Sequence, residues 1–250
     1  MAIYSARVLT LGVNASDPAL PDISEFIRYV PSDDLLEFWA ANIGLGLSDT
    51  DPVATWTGVN GTTATQTDSG KRPTFDEDGI ASGYPAVGGD GTDDILTTSI
   101  APPAAGVICV GLKTPASLSG VKVVVGSYGG SATSALAIGF NGTELAGQAG
   151  DQNFTTLKGG ALSVSTAYVC TLTWDASNCY LRLNGTQVAT AAWGGSLGSA
   201  LLGILGRNSG SPNYNTLAKV GAVAIYDAIK SGTDLDAIED GVANAIGISI

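Results

Sequence analysis

The sequence contains no histidine. That absence removes the commonest general base at neutral pH, the histidine-dependent serine and cysteine triads, and the usual zinc sites. Basic residues are few: Lys+Arg number 11 against 23 Asp+Glu, a formal net charge of -12. A phosphate backbone or an anionic membrane surface would be repelled, so neither nucleic-acid binding nor membrane insertion is expected. Long apolar runs are missing too; those around Ala104 to Leu112 and Ala200 to Gly206 fall well short of the roughly 20 residues that span a bilayer. Met1 to Gly12 lacks a basic start, an apolar core and a small-residue cleavage site, so export through a signal peptide is not expected. Cysteine is scarce and odd in number, with Cys109, Cys170 and Cys179 reading as buried free thiols in a protein folded in a reducing cytoplasm. Only 14% of residues are charged and 34 are glycine, a composition of many turns and few helices.

What is present centres on Tyr168 to Ala191. Tyr168, Cys170, Leu172 and Trp174 alternate with Val169, Thr171 and Thr173, the period of a half-buried strand. Asp175-Ala176-Ser177-Asn178 reads as a turn that sets Trp174 opposite Cys179, Leu172 opposite Leu181 and Cys170 opposite Leu183. One face is then apolar, while Tyr180, Arg182 and Asn184 share the other. In this register Cys170 and Cys179 lie too far apart for a disulfide. Asn184-Gly185 is a strong type I′ hairpin signal, placing Thr186 opposite Leu183 and Val188 opposite Leu181. Asn-x-Ser/Thr triplets at Asn14, Asn60, Asn141, Asn153 and Asn184 read as turn chemistry, three of them being Asn-Gly-Thr.

The run Leu181-Arg182-Leu183-Asn184-Gly185-Thr186-Gln187-Val188 resembles the hairpin of laminin-G-like and concanavalin A-like jelly rolls, the lectin/glucanase superfamily. Upstream, Pro85-Ala86-Val87 followed by Asp90-Gly91-Thr92-Asp93-Asp94-Ile95-Leu96 is similar to the segment that leads into a strand in these domains. Downstream, Leu201 to Gly206 and Lys219 to Tyr226 resemble their closing strands. The resemblance covers roughly Trp56 to Ile250. It implies an all-β fold, an antiparallel β-sandwich of the concanavalin A-like jelly-roll type.

Along the chain, two units are expected. Met1 to about Pro31 combines a strand-like Ile3 to Leu11 with a helical Asp22 to Tyr29, interrupted by Asn14, Pro18 and Pro21. It reads either as a strand and connector of the sandwich or as an arm for assembly with other copies or partner proteins; residues 1–31 are assigned as the arm and 32–250 as the jelly roll. Ser32 to Trp39 is a capped helical turn or an entering strand, and Val53 to Thr57 and Thr62 to Thr67 are strands around Asn60-Gly61. Ser69 to Gly91, rich in Gly, Pro and Asp, reads as mostly loop. Short strands from Ile95 to Ala146 follow, and a C-terminal helix is expected, capped by Thr233 with Asp236 three residues on and a buried stripe of Leu235, Ile238, Val242 and Ile246.

Chemistry rests on carboxylates and aromatics. The resemblance includes glycoside hydrolases whose catalytic strand carries acids at alternating positions, and no such Glu-x-Asp-x-Glu strand occurs here; Asp76-Glu77-Asp78 is contiguous. No enzymatic activity is expected. Asp90, Asp93 and Asp94 offer oxygen ligands of the kind a calcium ion takes; no other cofactor is expected. Trp193 between glycines, and Tyr214 between Asn213 and Asn215, are candidates to stack on and hydrogen-bond a sugar ring. Jelly rolls of the kind this chain resembles are common in bacteriophage head and tail proteins, so the resemblance, with an acidic, thiol-bearing, histidine-free chain, implies a virion structural protein of the phage head or tail, made in a host cytoplasm and assembled with other virion proteins or its own copies, with a jelly roll for surface glycans. The alternative is a carbohydrate-binding module of a surface protein, and the third reading is a glycoside hydrolase.

Overall fold

The computed structural model describes residues 30–43, 45–208 and 214–250. In chain order the strands are β1 (Leu35–Ala40), β2 (Thr55–Thr57), β3 (Thr63–Thr65), β4 (Thr74–Ala81), β5 (Tyr84–Gly88), β6 (Leu96–Thr97), β7 (Gly106–Lys113), β8 (Val121–Ser127) and β9 (Ala135–Asn141). There follow β10 (Glu144–Gly150), β11 (Lys158–Ala161), β12 (Ala167–Trp174), β13 (Asn178–Leu183), β14 (Thr186–Ala192), β15 (Gly203–Ile204), β16 (Gly206–Asn208), β17 (Lys219–Tyr226) and helix α1 (Thr233–Ala245).

Two sheets face each other. One runs β14-β13-β12-β7-β17-β5-β4, with β1 also on β17; the other runs β11-β10-β9-β8-β15-β6-β3-β2, with β16 also on β8. The pairings are antiparallel except β16 with β8. The apolar core between the sheets contains Trp39, Trp56, Ile108, Leu136, Leu145, Leu172, Trp174 and Leu181. The fold is the expected β-sandwich.

The central register is as the alternation dictates: Trp174 opposes Cys179, Leu172 opposes Leu181 and Cys170 opposes Leu183. Asn184 and Gly185 have φ of 47° and 77°, as a type I′ turn requires. Leu183 opposes Thr186 and Arg182 opposes Gln187, but the register then shifts, and Leu181 opposes Ala189 rather than Val188. A bulge leaves Val188 unopposed, its side chain against Gly160 of β11 where the edges of the two sheets meet. Leu183 and Val188 are consequently only partly buried, while Leu181 is fully enclosed. Leu181→Ala is expected to cost about 2–5 kcal/mol in urea unfolding, with Leu183→Ala near the lower end.

The outer face of the eight-stranded sheet is covered by α1. Leu235, Ile238, Val242 and Ile246 form the expected stripe, against Phe38, Val107, Cys109, Val169, Ala222 and Tyr226. The cap differs from expectation: Gly232 holds the N-cap with φ 55° and ψ -134° and no side-chain bond, so Thr233 is the first helical residue. Only glycine adopts that backbone geometry readily. Asp234 and Asp236 sit in the first turn, where carboxylates favour the helix dipole.

A second correction concerns Ser69 to Gly91, which holds β4 and β5 rather than mostly loop. β4 is an edge strand whose pairing breaks between Asp76 and Ala81, so Glu77 and Asp78 lie exposed and the strand has no clean alternation. Ser32 to Trp39 resolves as β1. All three cysteines are free and buried; burial pushes Cys170 up to about 12 and Cys179 up to about 11. The expected arm lies almost wholly outside the described residues. Of its last two positions, Val30 is buried against the helix-side cluster and the Pro31 carbonyl accepts from the Tyr226 hydroxyl at 2.8 Å.

Candidate functional site

The chain reverses at Leu205, whose φ of 71° is unusual for a branched side chain. As a result Ile204 and Gly206 both pair with Val125 of β8, one antiparallel and one parallel. Arg207 then comes opposite Gly126. Val125 points into the core, so Gly126 lies on the outer face, beside Ala137 of β9. The guanidinium carbon of Arg207 sits 4.2 Å from the Tyr128 ring centroid and 4.9 Å from that of Tyr214, a cation held between two aromatic rings. Arg207 is 7% exposed, whereas both tyrosines are partly exposed. Burial pushes the Arg207 pKa down, and Tyr214 and Tyr128 oppose that.

Tyr214 also has positive φ, 55°, and its carbonyl accepts from the Val123 amide at 2.8 Å. Two strained positions outside glycine, Leu205 and Tyr214, thus fix the stack. Strain of this kind clusters where a side chain must be aimed.

Beside the stack, Asn215 is 3% exposed and its Nδ2 donates to the Asp94 carbonyl at 2.7 Å. That bond brings two sequence candidates together, the Tyr214-Asn215 pair and the acidic loop. Within the loop, Asp90 Oδ1 accepts from the amides of Thr92, Asp93 and Asp94 at 2.8, 3.2 and 3.4 Å, and Asp94 Oδ2 accepts from the Asp90 amide at 2.9 Å. Burial pushes the Asp90 carboxyl up, but the three amides outweigh it and hold it below its ordinary value. Burial raises Asp94, helped by the Asp90 charge. Asp90, Asp93 and Asp94 present oxygens within 4.8 Å of one another, close enough to share a cation. The hydrogen bonds inside the turn already account for the positions of Asp90 and Asp94.

Trp193 lies apart from this cluster. Its Nε1 donates to the Asp175 carbonyl at 2.9 Å, and its ring packs so closely on Gly150 that a Cβ there would be 2.3 Å from Cε3. Asp151 Oδ1 accepts from the Gly194 amide at 2.7 Å, pinning the segment that follows Trp193. Asn213 lies outside the described residues. Sequence reasoning missed Tyr128 and Arg207; the available signal was an isolated cation directly after an apolar closing strand, in a chain with only 11 basic residues.

No family model matches the chain, and no curated protein matches it. Solved structures do. Trypanosoma rangeli sialidase aligns with a TM-score of 0.61 at 11% identity over 88% of this chain and 34% of the sialidase. Domain 4 of AbnA, a GH43 extracellular arabinanase from Geobacillus stearothermophilus, in complex with arabinotriose, aligns with a TM-score of 0.56 at 12% identity, covering 85% of this chain and 98% of that domain. These likenesses establish the fold. The chain spans about a third of the sialidases it matches, and the structures named here carry no link to a virion.

Proposed function

We propose that the chain is a carbohydrate-binding β-sandwich with no catalytic activity of its own. The observation that carries this reading is the Tyr128–Arg207–Tyr214 stack: two partly exposed rings around a fixed cation, on strained backbone, at the surface of a sandwich. Aromatic rings supply flat apolar area to the C–H face of a sugar, and their hydroxyls and nearby amides supply directional hydrogen bonds. The arabinotriose-bound sandwich of almost the same size supports the use of such a scaffold for sugar. A non-catalytic role is supported by the acids of β4, where Asp76 is paired with Lys219 and Glu77 and Asp78 follow contiguously at an interrupted edge, without two carboxyls converging across a bond. Placement of this module in a virion, with residues 1–31 as its attachment, is a narrower proposal that rests on the sequence alone.

The test is calorimetric titration of the full chain with a panel of neutral and acidic oligosaccharides that includes arabinotriose and sialyllactose. At least one saccharide is expected to bind, and Tyr128→Ala and Tyr214→Ala are each expected to weaken it about tenfold or more, the loss typical of a central aromatic contact. No binding across the panel, or binding indifferent to both substitutions, would overturn the assignment.

A further inference from the structure

Glu239 of α1 is 1% exposed, on the helix whose Leu235, Ile238 and Val242 belong to the apolar cluster that includes Val107, Cys109 and Val169 of the sheet. Arg182 of β13 reaches it: Nη2 lies 2.9 Å from Glu239 Oε2. The same nitrogen lies 2.7 Å from Asp236 Oδ1 and also donates to the Gly185 carbonyl of the β13–β14 turn. A guanidinium amino group has two hydrogens. Gly185 and Asp236 take those two hydrogens, so Glu239 Oε2 has the arginine as an ion-pair partner only, and neither Glu239 oxygen has a well-formed hydrogen bond among the described residues. Thr171 of β12, whose hydroxyl lies 3.4 Å from Cys109 Sγ, is the other polar side chain against Glu239.

An ionised carboxylate that is buried and incompletely hydrogen-bonded is costly. One proton removes the difficulty, since the neutral acid needs no counter-charge and leaves Nη2 to Gly185 and Asp236. We infer that docking of α1 on the β13–β14 hairpin is proton-linked: Glu239 takes up a proton as the helix seats, and the helix is held more tightly as pH falls from alkaline to mildly acidic.

The other titratable groups facing Glu239 do not supply this linkage. Cys109 and Cys170 on the sheet, and Tyr226 beside Cys109, are pushed up by burial and stay neutral; Asp236 is more than half exposed. For Glu239, burial raises the carboxyl above its ordinary value against the opposing pull of Thr171 and Arg182. The folded protein then binds more protons than the unfolded one between the ordinary and the raised value. This contribution is present at the acidic end of that window and is lost as pH rises through the raised value.

Hydrogen exchange on the full chain tests the inference, at about pH 5.5 and about pH 8, corrected for intrinsic rates and referenced to the amides of β7 and β12. Protection of α1 relative to those strands is expected to be higher at the lower pH, by about tenfold for each unit by which the raised Glu239 value exceeds about 5.5. Glu239→Gln, which keeps the shape without the charge, should flatten the dependence. Arg182→Met, which removes the counter-charge, should steepen it. Equal relative protection at both pH values in the unaltered chain, an unchanged slope in Glu239→Gln, or a shallower slope in Arg182→Met would overturn the inference.

Discussion

Glu37→Ala is expected to lower folding stability by about 3 kcal/mol or more, although Glu37 is no part of the Tyr128–Arg207–Tyr214 stack. Glu37 is 0% exposed, at the point where the pairing of β1 with β17 slips between Leu35 and Glu37. Its Oε1 accepts from the Phe38 amide at 2.9 Å and the Asn60 amide at 2.7 Å, and its Oε2 accepts from the Thr62 amide at 2.6 Å. The loop between β2 and β3 thus wraps around one carboxylate, and the Asn60 side chain returns two bonds to the Leu35 and Leu36 carbonyls. Alanine would leave three backbone donors without their acceptor. Each such orphan costs about 1–3 kcal/mol when water cannot reach it. Glu37→Gln keeps one oxygen and should cost less, because only the Thr62 amide then faces an N–H group. Urea unfolding of the two variants measures the difference, and an alanine variant as stable as the glutamine variant would show that water substitutes for the carboxylate.

This carboxylate illustrates what the sequence did and did not disclose. The register of β12 with β13 was legible because a period of two and a four-residue turn leave a single way to make one face apolar, and Asn184-Gly185 then fixed the next reversal. The bulge at Val188 was not legible, because its cause is the approach of β11 from the other sheet. Arg182 was expected on the face away from the core, and it is; that face is covered by α1, and the arginine side chain is 18% exposed, not solvated. β4 and β5 were hidden by edge irregularity and by acids that read as loop. At the candidate site, Tyr214 and Asn215 were visible as an aromatic beside amides. Tyr128 and Arg207 were not, since 79 residues separate Tyr128 from its cation and only the parallel pairing of β16 with β8 brings them together.

Gly139→Ala is the substitution expected to damage the nine-stranded sheet most. A Cβ at Gly139 would lie 2.0 Å from the Lys122 carbonyl oxygen and 2.9 Å from both the Lys122 carbonyl carbon and Val123 Cα. These are backbone atoms of β8, held by its pairing with β9, and they cannot rotate out of the way. The clash falls where β8 bulges, between Val123 opposite Gly139 and Val125 opposite Ile138. Relief would require β8 to move away from β9, at a cost of about 3 kcal/mol or more, the upper range for overpacking. Gly147 on β10 is the internal comparison, because a Cβ there would meet the Cδ2 atoms of Leu157 and Leu181, each at 3.1 Å, and the Ala137 carbonyl oxygen at an ordinary contact distance of 3.5 Å. Those side-chain ends can shift by a few tenths of an ångström, so Gly147→Ala should cost about 1 kcal/mol. A loss for Gly139→Ala no larger than that for Gly147→Ala in urea unfolding would show that β8 is free to slide. The effect also reaches function: β8 leads directly into Tyr128, so any Gly139→Ala protein that still folds should bind saccharide more weakly, with Tyr128 drawn away from Arg207.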